Sequence, residues 1–313
     1  MTRIAKRLTA VGCAVLVLAG TLLLTWYWRK CRLAEAKEAA RARAEAEAKA
    51  VAEREAVYRQ FGIDAPGTRL FVPLPSILSH NHGRAEIGRK LFNDRRLTGL
   101  PRTPTLVCGA CHWLGAGGTD SKIHHDLLTR PVYNASFATA YFHDGSVSNL
   151  HAAITKMIEE PRFSGAGRLE TVVARLAEDK FLVEDFARSY KDGLTGSNVV
   201  DAVAEYMRKL ITSNKPFDYW CAGHTDRFTS EEQRGSEVFL AARCMDCHDG
   251  PVLGSRKVSG GRKVPALRGL GLRRAYLTEG KAKNLDAVVP LMPGGDALSP
   301  EDRKALVEFL KAL

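Results

Sequence analysis

Apolar and polar positions alternate in three different ways along the chain. Residues 8–28 form a run of about 21 largely apolar, uncharged residues behind Arg3, Lys6 and Arg7. That length suits a helix crossing a hydrocarbon core of ~30 Å, with Trp26, Tyr27 and Trp28 at the far interface. A cleaved signal peptide is the rival reading. The run is long and its exit is bulky and basic rather than small, so a retained anchor is expected over residues 1–28. Residues 33–59 are then almost entirely Ala, Glu, Lys and Arg, with no Gly or Pro and with Glu45 one turn before Lys49. This pattern predicts a solvated helical stalk over residues 29–60, a rod of about 40 Å at ~1.5 Å per residue. Beyond Gly62 and the stretch holding Pro66, Pro73 and Pro75, amphipathic helical segments punctuated by Gly and Pro predict a mainly α globular part.

That globular part repeats itself. Ile87-Gly88-Arg89-Lys90-Leu91-Phe92 matches Arg234-Gly235-Ser236-Glu237-Val238-Phe239, and each helix leads to a Cys-x-x-Cys-His run, Cys108/Cys111/His112 and Cys244/Cys247/His248. Tyr141, Gly145, Asn149 and Leu150 then match Tyr276, Gly280, Asn284 and Leu285 at a constant offset of 135, which sets Met157 opposite Met292. Each half closes with a helix, over 199–210 and 300–313, the second with Ser299 as N-cap and Pro300 at its first position. Pro216-Phe217-Asp218 and the capping-box pair Thr229/Glu232 mark the crossover, dividing the globular part into residues 61–216 and 217–313.

The formal net charge is +11, but residues 1–60 hold twelve basic and six acidic side chains, leaving only +5 on the rest. The surplus belongs to a membrane flank and to the counter-charge of an anionic cofactor, and no nucleic-acid partner is expected. Of seven cysteines, four lie in the two motifs; Cys13, Cys31 and Cys221 read as structural or incidental.

In a Cys-x-x-Cys-His run the thiols add across haem vinyl groups and the His supplies the proximal nitrogen to iron. Zinc would need four clustered ligands, and each half lacks a second Cys-x-x-Cys or a tight His pair, except for His124-His125. A thioredoxin-like pair would need a βαβ setting that the pattern does not supply. The chain is therefore expected to carry two covalently bound c-type haems. Met292, ahead of Pro293-Gly294-Gly295, sits in a turn and suits a thioether ligand to the second iron; a core gap-filler is the bland alternative.

With these strings in view, residues 70–313 resemble the bacterial di-haem cytochrome c peroxidase and MauG superfamily. The carrying segments are Leu91-Phe-Asn-Asp-Arg-Arg-Leu97, both haem motifs, Tyr141-Phe-His-Asp-Gly145, Pro216-Phe-Asp218, Val264-Pro-Ala-Leu-Arg268 and the closing Phe309-Leu-Lys-Ala-Leu313. The resemblance implies two class I cytochrome c-like domains in tandem in the periplasm, which with the apolar run of residues 8–28 predicts anchorage in the bacterial cytoplasmic membrane. It implies reduction of hydrogen peroxide with electrons from a small cytochrome or cupredoxin, and it admits a homodimer. His248 and Met292 would ligate the electron-entry iron, His112 would be proximal at the peroxide-reacting iron, and Arg268 would meet a haem propionate. His124 or His125 lies near the position of the family's distal His, with surface decoration as the alternative.

The chain also departs from the family. Where the catalytic Glu is expected, two residues after a Pro, stands Phe163, with Glu159 and Glu160 just upstream as substitutes if the loop is re-routed. The Trp between the haems is replaced by His143, and the Asn associated with the inter-domain calcium falls on Leu128 or Thr129, which leaves the calcium open. Two other functions compete with peroxide reduction. One is oxidation of a partner protein's side chain, as in the MauG branch, against which Met292 argues because that branch has a Tyr ligand. The other is a carrier in which Met157 closes the first iron.

Overall fold

The computed structural model describes residues 71–76, 78–98, 107–254, 258–259 and 262–313, together with Trp28, Lys30, Arg32, Ala34, Lys37, Glu38, Arg41 and Glu45. The chain divides into two units, residues 1–62 and 63–313. In the first, all the described positions are helical and exposed, and Arg41 Nε reaches Glu45 Oε1 at 3.1 Å across one turn. The expected anchor, Trp28 excepted, and the Glu45–Lys49 pair lie outside the described residues. Among the described residues no helix is long and apolar enough to cross a membrane.

The second unit is built from ten helices among its described residues: α1 (His82–Phe92), α2 (Cys108–Cys111), α3 (Leu150–Glu159), α4 (Leu169–Leu176), α5 (Lys180–Ser189), α6 (Gly196–Arg208), α7 (Pro216–Cys221), α8 (Ser230–Ala241), α9 (Leu285–Val288) and α10 (Pro300–Ala312). Two antiparallel hairpins join them, β1 (Ile123–His124) with β2 (Leu127–Leu128) and β3 (Val258–Ser259) with β4 (Arg262–Lys263). The expected caps form: Ser299 Oγ accepts from Asp302 N at 3.0 Å, and Thr229 and Glu232 close a capping box on α8.

Each half is organised by one helix crossing, α1 on α6 and α8 on α10. A glycine makes each crossing close. A Cβ on Gly88 would lie 1.9 Å from Ala202 O, and one on Gly235 would lie 2.1 Å from Ala305 O. Ile87, Leu91, Phe92, Val199, Val203 and Tyr206 bury one core; Phe217, Phe239, Leu306, Phe309 and Leu310 bury the other.

The repeat continues at atomic detail. Tyr141 bridges Val147, and Tyr276 bridges Ala282. The Tyr141 hydroxyl donates to Ala135 O at 2.8 Å and the Tyr276 hydroxyl to Leu270 O at 3.2 Å, positions that keep the offset. Phe142 and Leu277 both take positive φ, 62° and 64°, a strained conformation for bulky residues that both halves hold in place. Asn149 and Asn284 each cap the next helix through an N–H at 2.8 Å.

One assignment changes. The segment at 71–76, grouped above with the first domain, packs on the second: the Phe71 ring lies 5.6 Å from both Phe217 and Phe309, and Leu74 N donates to Asp218 Oδ1 at 2.7 Å. Its apolar side chain finds the aromatic cluster of the second core, which a linear reading cannot show.

Candidate functional site

Cys108 and Cys111 occupy the single turn of α2, and Cys244 begins a 3₁₀ turn that ends at Asp246, so each motif curls its thiols and histidine together. The curl is closed by a backbone bond in each, His112 N to Cys108 O at 2.8 Å and His248 N to Cys244 O at 2.9 Å. None of these four cysteines forms a disulfide. Burial pushes the Cys108 thiol up to about 11 and raises Cys111 and Cys244 as well. A redox-active or metal-binding pair needs a lowered thiol pKa, so the raised values argue against that use of these three thiols.

Cys247 departs from the other three. The motif predicts it as an equal partner of Cys244 in holding the second haem, yet it is exposed where Cys108, Cys111 and Cys244 are half-buried. The physical reason is the shorter turn: the 3₁₀ segment stops at Asp246, and Cys247 follows as its C-cap beside the exposed Asp246, at the rim of the site. Burial therefore gives no support to Cys247 as an attachment point, and that role rests on the spacing of the motif.

The two histidines are set to present a neutral nitrogen. Burial lowers both pKa values, opposed by backbone carbonyls at Gly118 and Arg130 for His112 and at Leu253 and Pro265 for His248. His248 Nδ1 lies 3.2 Å from Leu253 O, the tautomer-fixing contact that leaves Nε2 for iron. His112 Nδ1 is buried and falls short of a formed hydrogen bond. Both motifs thus fit a c-type haem.

The second half places Met292 as the repeat and turn predict. Pro290 converts the helical path after α9 into a 3₁₀ turn at Val289–Leu291, leaving Met292 extended. Met292 O then accepts from Gly295 N at 2.9 Å around Pro293 and Gly294 (φ 77°), a type II turn that needs glycine at its third position. Met157 differs: it lies inside α3, which continues to Glu159, so sequence register matches but backbone geometry does not.

The remaining candidates scatter. Glu159 Oε1 accepts from Leu169 N at 3.1 Å, holding the start of α4, and Glu160 pairs with Arg162 at 3.5 Å. Phe163 stacks on Phe142 with ring centroids 5.5 Å apart. His125 and Asp126, both at positive φ (50° and 65°), form the two-residue turn of the β1–β2 hairpin, which exposes His124 and His125. His124 Nε2 is held 2.8 Å from Asp120 Oδ2. Cys111, Asp120 and His124 cluster, but Cys111 belongs to the haem motif.

Arg268 is fully buried, ion-paired with Asp218 at 2.6 Å and 4.7 Å over the Phe217 ring, while its Nε and Nη1 are buried without a partner and remain as donors for the expected propionate. His143 lies where the halves meet: its Nε2 is 3.1 Å from Leu128 O, and its carbonyl accepts from Lys263 N at 2.7 Å. Beside it stand cations that the sequence reading passed over. Burial, and then the like charge of Arg130, lowers Lys263 to about 8 and Arg273 to about 10. Isolated basic residues carry no periodicity, so only the folded arrangement reveals them.

Residues 82–226 match the family described as di-haem cytochrome c peroxidase, and residues 232–313 match cytochrome c. The chain is 28% identical to the cytochrome c peroxidase Ccp of Escherichia coli, over 84% of this chain and 65% of that protein, so it spans about two thirds of that relative. It is 28% identical to the cytochrome c551 peroxidase of Nitrosomonas europaea, over 77% of this chain and 83% of that one. It is 26% identical to the methylamine utilization protein MauG of Methylorubrum extorquens, over 77% and 81%. The fold is shared with a MauG-like protein associated with microbial copper homeostasis (TM-score 0.65, 17% identity, 80% of this chain and 94% of that one). It is also shared with the di-haem peroxidase BthA of Burkholderia thailandensis (TM-score 0.60, 12% identity, 77% and 89%).

Proposed function

As a member of the di-haem cytochrome c peroxidase and MauG superfamily, the chain carries two covalently bound c-type haems, and we propose that it uses them to reduce hydrogen peroxide with electrons from a small cytochrome or copper protein. The observation that carries this reading is the asymmetry between its halves. Met292 heads a turn from which its thioether would hold the second iron, whereas Met157 stays within an unbroken helix and would not hold the first, where peroxide would bind. When bound, the first haem supplies a redox-active iron with a place for peroxide.

Cleaving the oxygen–oxygen bond also needs a proton moved between the two oxygens, a task worth typically ~10²–10⁴-fold when a side chain performs it. Phe163 and Phe142 present stacked rings that cannot carry a proton. Glu159 and Glu160 are occupied in capping α4 and pairing Arg162. Turnover is therefore slow. Rapid mixing of the reduced holoprotein with peroxide tests this: slow, saturable oxidation of the donor is expected. No reaction in any redox state would make the chain an electron carrier.

The apolar run over residues 8–28 supports retention in the cytoplasmic membrane, with the haem halves on the periplasmic side. Protease added to spheroplasts should digest the haem halves; their resistance would reverse the orientation.

A further inference from the structure

The seam between the halves is stitched by backbone hydrogen bonds, Lys263 N to His143 O at 2.7 Å and Leu128 N to Thr278 O at 2.8 Å. Arg274 N adds a bond to Ser121 Oγ at 3.2 Å. Three cations gather along it: Arg130 from the first half, Lys263 and Arg273 from the second. Lys263 Nζ reaches across to lie 5.7 Å from the centre of the Tyr141 ring. Arg273 Nη2 donates to Ala266 O and Arg268 O at 3.2 and 3.0 Å, while its Nε is buried without a partner.

Among the described residues neither Lys263 nor Arg273 has a carboxylate partner, and both feel Arg130 as a like charge. Both side chains are half-buried, and holding two such cations partly out of water without counter-charge is unfavourable unless an anion joins them. The haem histidines point to that anion. The Arg130 carbonyl faces the His112 ring, and Pro265, two residues after Lys263, faces the His248 ring. The backbone segments that carry Arg130 and Lys263 thus pass beside both haem-binding histidines.

We propose that Arg130, Lys263 and Arg273 form a cationic seat across the seam that receives the haem carboxylates, and that this built-in charge holds the halves together without a bound divalent cation. The carbonyls at the position expected for calcium are each engaged by one protein donor, which weakens them as ligands. Leu128 O faces the His143 ring at 3.1 Å, and Thr129 O accepts from the Thr119 hydroxyl at 2.8 Å. The three positive charges beside them repel a further cation. The proposal rests on the two haems and not on the reaction they perform.

Two measurements on the holoprotein test it. Elemental analysis should find substoichiometric calcium, and a chelator should leave both haem potentials and the melting temperature unchanged. One tightly held divalent cation per chain, with potentials that shift on its removal, would overturn the proposal. In spectroelectrochemical titrations Lys263→Met and Arg273→Gln should each lower the potential of at least one haem, because a cation near the haem favours the reduced state. Lys263→Arg should keep the parent value, as should Lys180→Met on the exposed start of α5. Unchanged potentials in both charge-removing variants would reject the seat, and parent potentials that move with phosphate concentration would place a free anion there instead.

Discussion

Three residues carry separable roles. Phe163 stands where a proton shuttle is expected, so Phe163→Glu should raise peroxide turnover toward the ~10²-fold lower end of a general acid–base contribution; stopped-flow assays at saturating peroxide check this, and an unchanged rate would mean that the ring is not beside the reacting oxygens. Met292→Ala should abolish the thioether–iron charge-transfer band and lower the potential of one haem, since a thioether favours reduced iron. Met157→Ala should leave that band intact, as the position of Met157 inside α3 requires. Asp218 gathers the Leu74 and Lys215 N–H groups and the Arg268 guanidinium in one buried carboxylate. Asp218→Ala would strand Arg268, which is nearly inaccessible to water. Removing one partner of a buried ion pair costs about 3–5 kcal/mol, so the denaturation midpoint of the holoprotein should fall sharply.

At the scale of elements, the two helix crossings decide stability. Gly88→Ala and Gly235→Ala would each push a methyl into the backbone carbonyl of the partner helix, at 1.9 and 2.1 Å, and rigid backbone cannot yield as a side-chain tip can. Overpacking of this kind costs about 1–3 kcal/mol, so both variants should melt earlier than the parent. The same helices are tied by ion pairs. A hydrogen bond from Lys90 holds the Asp185 carboxyl below its usual range between α1 and α5, and one from Arg234 does the same for Asp302 between α8 and α10. Because these values are depressed only in the folded chain, the unfolded chain takes up protons first as pH falls. The stabilisation is complete above about pH 4, the ordinary carboxylate value, and is lost as pH drops through the lower folded values. Melting temperatures recorded from pH 5 down to 2 should decline, and Asp185→Asn with Asp302→Asn should flatten that decline.

For the whole molecule, both motifs predict covalent attachment, so acid–acetone extraction should leave two haems per chain with the polypeptide; recovery of one, or of extractable haem, would contradict the paired motifs. The motifs, the repeat, the Ser299 cap and the Met292 turn were legible beforehand because each depends on contacts within a few residues, where composition and spacing carry the physics. Gly88 and Gly235 were legible as a matched pair, but the close crossing that needs them was not. The two motifs also read alike in sequence, whereas folding half-buries Cys244 and leaves Cys247 exposed. Other features depend on residues far apart in sequence. Phe71 joins the second core rather than the first, Arg268 is anchored by Asp218, and Glu159 Oε1 caps α4. Lys263 meets Arg130 and Tyr141 across the seam. The sequence by itself therefore determined the cofactor chemistry, the helical class and the duplication, all of which follow from local pattern. Only the tertiary structure decided which charges are spent inside the protein and which remain for the haems, because pairing of buried charges depends on through-space distance and desolvation that no linear spacing encodes.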